Sequence, residues 1–347
     1  MKNILLYTAL SFLPLIIKAQ KPDTSAAAPY RKAGIAFYKE RSYDKAIEKF
    51  SSAVIANPQD KVSYYLRAKA YAFTDRYDQS LRDFNKAITI DPKYKDAYFS
   101  RGILKGSYLK DFAGGLADID QCVAFAPASA NVRIMRGQMD LGLKKYDTAI
   151  VDFSKAITLE PTFPNPSAEA YMGRAYAYFG LGNFKKAIRD FDKVAESPLK
   201  YSILYTRAVS KRKSNDLNGA MTDINDLIGH DPGIDSAYIE QGILRLKTGD
   251  TLGCYQSFSK CISLNPNRIS AYNNRALVLM MMKHYKEAIE DLYVVITYNP
   301  NDAMAIGNRG VARYESGDKT GACKDLQQAT KLQPSPELEE ALKKYCN

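Results

Sequence analysis

The residues able to do acid–base, nucleophilic or metal chemistry are few in this chain and badly placed for it. Two histidines stand among 347 residues, His230 beside Asp231-Pro232 and His284 in a short turn, and neither sits in a catalytic or metal-ligand spacing. Asp118 and Asp120 in "DID" read like the paired carboxylates of an acid–base centre, but Asp118 belongs to a pattern that recurs along the chain. No phosphate-cradling glycine loop, G-x-S-x-G or H-E-x-x-H occurs. No catalytic, cofactor or metal site is therefore expected, and the chain does not read as an enzyme.

The five cysteines give the same answer. Cys122, Cys254 and Cys261 occupy slots that hold small or apolar residues elsewhere, so they are expected as core thiols. Cys254 and Cys261 lie two turns apart on one helix, roughly 10 Å, too far for a disulfide. Cys323 with Cys346 is the one pair left able to bridge.

What does recur is a charge pair. Seven segments carry Arg and then Asp: Arg67/Asp83, Arg101/Asp118, Arg136/Asp152, Arg174/Asp190, Arg207/Asp223, Arg275/Asp291 and Arg309/Asp325. Two further segments lack both partners, having Ala33/Lys49 and Gln241/Ser257. Joint loss within a segment predicts a salt bridge inside each segment, a structural role; the alternative is that the arginines bind an acidic ligand. Breaking one half-buried pair is expected to cost about 3 kcal/mol or more.

The elements that position these pairs are written as a repeat. "AIVDFSKAITLEP" returns as "AIEKFSSAVIANP", "SLRDFNKAITIDP" and "AIEDLYVVITYNP", and the prolines that follow, from Pro58 to Pro334, are spaced by 34 to 37 residues. Such a period marks a solenoid. Upstream of each phrase lies a second segment with apolar residues three and four apart, so each unit is predicted to be a helix hairpin. Ser42, Asp111, Asn183, Asp216, Asp250 and Asp318 stand in the inter-helix turn, where they can cap the second helix. Small residues, including Gly34, Gly137, Gly242, Ala68 and Ala175 on the first helix and Ala46, Ala149 and Ala187 on the second, let the two approach. Phe50, Phe84, Phe153, Phe191 and Phe258 fill the space one turn on.

On these residues the chain resembles the tetratricopeptide-repeat family, with Tyr30, Tyr64, Tyr98, Tyr171, Tyr238 and Tyr272 where that family usually has Trp. The resemblance implies an all-α, right-handed superhelical α-solenoid of nine units at about 27–60, 61–94, 95–129, 130–167, 168–200, 201–234, 235–268, 269–302 and 303–334, with a capping helix in 335–347. An extra residue in "DFAGG" and an insertion within "TFPNPS" are expected to offset the stack. The resemblance also implies a concave groove lined by first helices, and the presumed column is Tyr65, Phe99, Ile134, Met172, Tyr205 and Ile239, with Tyr176 and Phe179 further along. This column reads equally as a partner-binding surface or as packing between repeats. The Lys and Asn pattern that clamps a C-terminal carboxylate in some relatives is not recognisable, since Arg31 and Ile35 open the array.

The N-terminus places Lys2 before an apolar run, Ile4 to Ile17, followed by Ala19, which reads as a signal peptide (1–19) ahead of a flexible leader at 20–29. An uncleaved anchor is the alternative; no other stretch is apolar and long enough to span a membrane. Formal net charge is +11, its basic residues scattered, with "KRK" at 211–213 the nearest thing to a cluster. The expectation is an exported scaffold in the periplasm or cell envelope that binds a protein or peptide partner, without nucleic acid. The alternative is a module for an anionic partner or surface polymer that uses Arg212 and Lys213.

Overall fold

A computed structural model describes residues 26–159 and 167–346. The expected signal peptide, the leader up to residue 25 and the inserted stretch within "TFPNPS" lie outside the described residues. The described residues hold nineteen α-helices and no strand. Two compact units divide the chain, residues 1–202 and 203–347.

The first unit contains five hairpins: α1 (Ala28–Lys39) with α2 (Tyr43–Ala56), α3 (Lys61–Phe73) with α4 (Tyr77–Ile90), α5 (Lys95–Ile103) with α6 (Phe112–Phe125), α7 (Ala130–Gly142) with α8 (Tyr146–Leu159), and α9 (Ser167–Gly180) with α10 (Phe184–Val194). The second contains four: α11 (Lys200–Lys213) with α12 (Leu217–His230), α13 (Asp235–Lys247) with α14 (Thr251–Leu264), α15 (Ile269–Met281) with α16 (Tyr285–Tyr298), and α17 (Ala303–Glu315) with α18 (Lys319–Leu332). A last helix, α19 (Pro336–Cys346), packs on α18.

Each hairpin closes because a small residue on one helix faces a large side chain on the other. A Cβ at Gly34 would lie 2.5 Å from the Phe50 ring, and one at Gly242 would lie 2.6 Å from Phe258. No side chain fits there, so the helices meet over the glycine with the phenylalanine fully buried beside it. Removing such a ring costs about 3–5 kcal/mol.

The turns follow from local chemistry. Asp111, Asp216, Asp250 and Asp318 accept the backbone N–H of Gly114, Gly219, Gly253 and Gly321 at 2.8–2.9 Å, which satisfies an orphan donor of each second helix. Asn183 does the same for Lys186 at 3.4 Å, but Ser42 makes no capping bond. At the other end Asp91 leaves the helical region (φ −134°, ψ 97°) before Pro92 and accepts the N–H of Lys93 at 2.9 Å, so a single Asp-Pro pair both stops the helix and starts the turn.

The extra residue of the third hairpin is not in "DFAGG". It is taken up at the end of the first helix, where α5 passes into a π-helical turn, Leu104–Tyr108. Widening one turn absorbs a residue while the flanking side chains keep their faces. Arg101 and Asp118 therefore still meet, although 17 residues separate them in place of 16.

Candidate partner-binding surface

The repeated arginines are held within their hairpins. Arg67 meets Asp83, Arg101 meets Asp118, Arg136 meets Asp152, Arg174 meets Asp190, Arg207 meets Asp223, Arg275 meets Asp291 and Arg309 meets Asp325. In all seven, Nε and Nη2 donate to the two carboxylate oxygens at 2.5–2.8 Å.

One part of the expectation needs correction, because the pairs are not evenly half-buried. The arginines keep an edge toward solvent, whereas Asp83, Asp118, Asp152, Asp190, Asp223, Asp291 and Asp325 are all buried, Asp152 to 1% exposure. The physical reason is that each carboxylate sits on the second helix facing the hairpin interior, one residue before the large apolar side chain, such as Phe153 after Asp152, Phe191 after Asp190 and Leu292 after Asp291. A carboxylate there is tolerated only because the guanidinium fork satisfies both oxygens. These aspartates are structural and form no part of a surface open to a ligand.

Tyr64, Tyr98, Tyr171 and Tyr272 stack on their arginines at 5.4–5.7 Å, so the tyrosines that replace Trp cover the guanidinium. Asp118, Asp223 and Asp325 each take a second cation, from Lys105, Lys211 and Arg313 at 2.8–3.0 Å, and Asp152 takes one from Arg133 at 2.9 Å.

Nη1 remains, and it points to the hairpin before. It reaches Ser51 from Arg67 (3.1 Å), Asn85 from Arg101 (2.6 Å), Asp120 from Arg136 (3.4 Å), Ser154 from Arg174 (3.0 Å) and Ser259 from Arg275 (3.2 Å). Asp120 of "DID" is thus a rung of the same ladder. Where the charge pair is absent, Gln241 keeps both contacts in neutral form: Nε2 donates to Asn225 at 2.9 Å, and Oε1 accepts from Ser257 at 2.8 Å. These arginines are engaged in holding repeats together, with three donors committed in five of them.

Within the aromatic column, packing between repeats takes up three members fully and the other five in part. Tyr65, Ile134 and Met172 are buried. Phe99, Tyr176, Phe179, Tyr205 and Ile239 are half-buried against their neighbours, as in the edge contacts of Tyr176 with Phe191 and of Phe179 with Phe184. Tyr65 shows the direction such a side chain takes, toward the adjoining hairpin, where it packs on Tyr94 with ring centroids 5.3 Å apart. Arg212 is likewise occupied, since it is bound to the buried carboxylate of Glu240, and only Lys213 of that pair is exposed.

Exposed apolar side chains stand on three successive first helices of the second unit. Leu277 and Met281 are neighbours on α15 at 37% and 60% exposure. Met304 on α17 is 49% exposed and Leu246 on α13 is 38% exposed. Ile243, Met280 and Val311 are half-buried on the same helices. In the first unit the corresponding helices α3, α5 and α7 bury Leu66, Lys69, Ile103 and Met135. Lys69 sits 5.6 Å from the rings of both Tyr38 and Tyr65, and burial, opposed by Asp96, lowers its pKa. An apolar excess was present in "LVLMMM", where Ala276, Val278 and Leu279 already fill the core and Leu277 and Met281 are left over.

Cys122, Cys254 and Cys261 are buried free thiols. Burial pushes Cys254 and Cys261 up to about 11 and Cys122 up to about 12. Cys323 and Cys346 form a disulfide, with Cα atoms 5.5 Å apart. Among the described residues no group of three or more His, Cys, Asp or Glu could hold a metal ion, and no helix is long and apolar enough to cross a membrane.

Family models described as tetratricopeptide repeat match residues 62–94, 168–197 and 269–302. A solved structure of the APC/C hetero-tetramer Cut9-Hcn1 superposes with a TM-score of 0.54 at 14% identity, over 92% of this chain and 76% of that one. A tetratricopeptide repeat protein from Parabacteroides merdae gives 0.55 at 18% identity, over 73% of this chain and 98% of that one. PilW, a type IV pilus biogenesis factor, gives 0.53 at 16% identity, over 59% and 94%. No curated protein sequence matches the chain. The matched repeats, the consecutive hairpins and the ladder of paired side chains make this chain a tetratricopeptide-repeat protein. Such proteins are generally non-catalytic scaffolds that bind other proteins.

Proposed function

We propose that this chain is an exported scaffold that binds a protein partner on the Leu/Met face of α13, α15 and α17 and helps to organise a complex in the cell envelope. The observation that carries the reading is the exposure of Leu277, Met281, Met304 and Leu246 on successive first helices. Apolar side chains on a water-facing helix surface lower their free energy when a partner covers them, and flexible thioethers adapt to its shape. Export rests on the charged and apolar N-terminal residues, and a disulfide between Cys323 and Cys346 suits an oxidising compartment. An anionic partner is the weaker reading, because Arg212 is already committed to Glu240.

The test is an affinity capture from envelope extract with residues 20–347, beside the same chain carrying Leu277→Ser and Met281→Ser, its fold checked by circular dichroism. A protein kept by the first and lost by the second supports the reading. Equal capture by both rejects it. For export, the N-terminus of the protein recovered from the periplasmic fraction is read by mass spectrometry, and a chain that stays in the cytoplasm rejects that half.

A further inference from the structure

A ring is missing from the repeat at the place where Met281 is exposed. The first residue of each second helix is usually aromatic, and in the first unit its ring lies over the last turn of the next first helix. Tyr43 stacks on Phe73 with centroids 4.8 Å apart and planes at 4°. Tyr77 meets Tyr108 at 5.2 Å. The Phe112 ring lies so close to Gly142 that a Cβ there would be 2.3 Å from it, and Tyr146 covers Gly180 in the same way at 2.5 Å. Four junctions thus use one device, a ring from one hairpin closing over the next.

In the second unit the corresponding pair is Thr251 on α14 with Met281 on α15. Thr251 has no ring to give, and Met281 is left 60% exposed, with Leu252 beside Thr251 also bare. The second helix before it, α12, opens with the apolar Leu217, and the one after it, α16, returns to an aromatic, Tyr285. At the Thr251 junction the uncovered residue is a thioether, with the apolar Leu277 one turn away. Sulfur beside an aromatic ring is a favourable contact, and a flat ring fills a slot that the chain's own rings fill elsewhere.

We infer that Met281 and Thr251 form a docking notch for an aromatic side chain of the partner protein, which supplies the ring that this repeat lacks. The inference rests on the proposed role of the Leu/Met face and adds the chemistry of its occupant. An aromatic residue at the centre of such a contact is an anchor, so its replacement by alanine in the partner weakens binding at least about tenfold.

The test uses the whole array, residues 20–347, with methyl-13C methionine, the Met281 signal being assigned from Met281→Leu. N-acetyl-tyrosinamide and N-acetyl-leucinamide are titrated as probes. The expected result is a saturable upfield ring-current shift of the Met281 methyl with the tyrosine probe, Met304 moving less and the leucine probe giving no comparable shift. Thr251→Tyr restores the missing ring from within, so Met281 starts upfield and ceases to respond. An unmoved Met281, or equal responses to both probes, overturns the inference, and this titration of the unaltered chain stands even if Thr251→Tyr fails to fold. The two readings fail separately. If capture is lost with Leu277→Ser, Met281→Ser while the tyrosine probe is ignored, the ring assignment falls and the binding face stands. If the probe binds and capture is unaffected, the notch does not serve a partner and both readings fall.

Discussion

Arg67 of the second hairpin donates Nη1 to Ser51 of the first at 3.1 Å while its Nε and Nη2 hold Asp83 of its own hairpin at 2.6 and 2.8 Å. One guanidinium therefore fixes both the closure of a hairpin and its register on the hairpin before. Arg serves here because its planar fork offers donors on two sides, which an ammonium cannot. Asp83→Ala leaves a half-buried cation without its counter-charge and is expected to destabilise by about 3 kcal/mol or more. Ser51→Ala removes one neighbour bond and is expected to cost about 1 kcal/mol. The protein's own neutral version is a third comparison: Arg67→Gln with Asp83→Ser reproduces Gln241 and Ser257. It is expected to be more stable than Asp83→Ala alone in urea denaturation; a double variant that is less stable would rule out the charge as the source of the loss.

Among the described residues, six turn residues other than glycine adopt the left-handed region, including Lys144 (φ 58°) and Lys283 (φ 62°), where other turns use Gly182, Gly249 and Gly317. A lysine there carries a steric cost of roughly 1–2 kcal/mol that glycine avoids, offset in part by the greater freedom of glycine in the unfolded chain. Lys283→Gly is expected to raise stability by about 0.5 kcal/mol. Gly249→Ala, at φ 82°, is expected to lower it by about 1 kcal/mol. Paired thermal melts measure both, and a stabilised Gly249→Ala chain would contradict the steric account.

Much of this architecture was legible because it repeats. Each Asx-Pro stop, small residue and buried Phe occurs often enough that the hairpin boundaries follow from spacing. The Arg–Asp pairing was legible for the same reason, through its joint loss at Gln241 and Ser257, but the depth of Asp152, Asp190 and Asp291 was not, since a charged letter reads as surface until the side chains around it are placed. The π-helical turn at Leu104–Tyr108 was also hidden. An extra residue shifts everything after it alike, so the sequence shows that a residue is added but not which turn widens. The aromatic column was ambiguous for another reason. Tyr65, Ile134 and Met172 are large and apolar at a position that packs inside the array, so size and polarity alone do not separate them from a surface. Leu277 and Met281 differ in being surplus to a core already filled by Ala276, Val278 and Leu279. That surplus was in the sequence, whereas the absence of a covering ring at Thr251 needed the equivalent junctions to be seen.

Lys69 is buried between Tyr38 and Tyr65, and its pKa is lowered chiefly by burial. Its charged form is therefore less stable folded than unfolded, a penalty fully present below the lowered pKa and relieved as pH rises from there toward the ordinary lysine value of about 10.4. Lys69→Met keeps the stem's volume and removes the charge. It is expected to stabilise the chain by about 1 kcal/mol at neutral pH, since the two ring contacts offset part of the desolvation. That gain should shrink as pH rises toward about 10. Urea midpoints of both chains from neutral pH upward decide it, and a constant or growing difference would show that the cation is not the source of the effect.

The cap helix α19 is held by three contacts of different kinds. Leu338 is buried against Ile306 and Ala329, so close that a Cβ on Gly307 would lie 2.4 Å from it, while Tyr345 packs on Tyr314 at 4.7 Å and Cys346 is bonded to Cys323. The disulfide closes a loop of 23 residues' separation, for which the loss of unfolded-state freedom is worth about 3 kcal/mol. Reduction, or Cys323→Ser with Cys346→Ser, should release that stabilisation at the end of the array first, because α19 packs on α17 and α18. Amide hydrogen exchange is expected to quicken in α19 and at Ala303 and Ile306 of α17, with α13 and α14 unchanged. Leu338→Ala in the oxidised chain separates the two contributions: it should loosen α19 without freeing it, since the covalent tie remains. If reduction leaves exchange in α19 unaltered, the apolar seat of Leu338 alone holds the cap and the disulfide adds nothing to it.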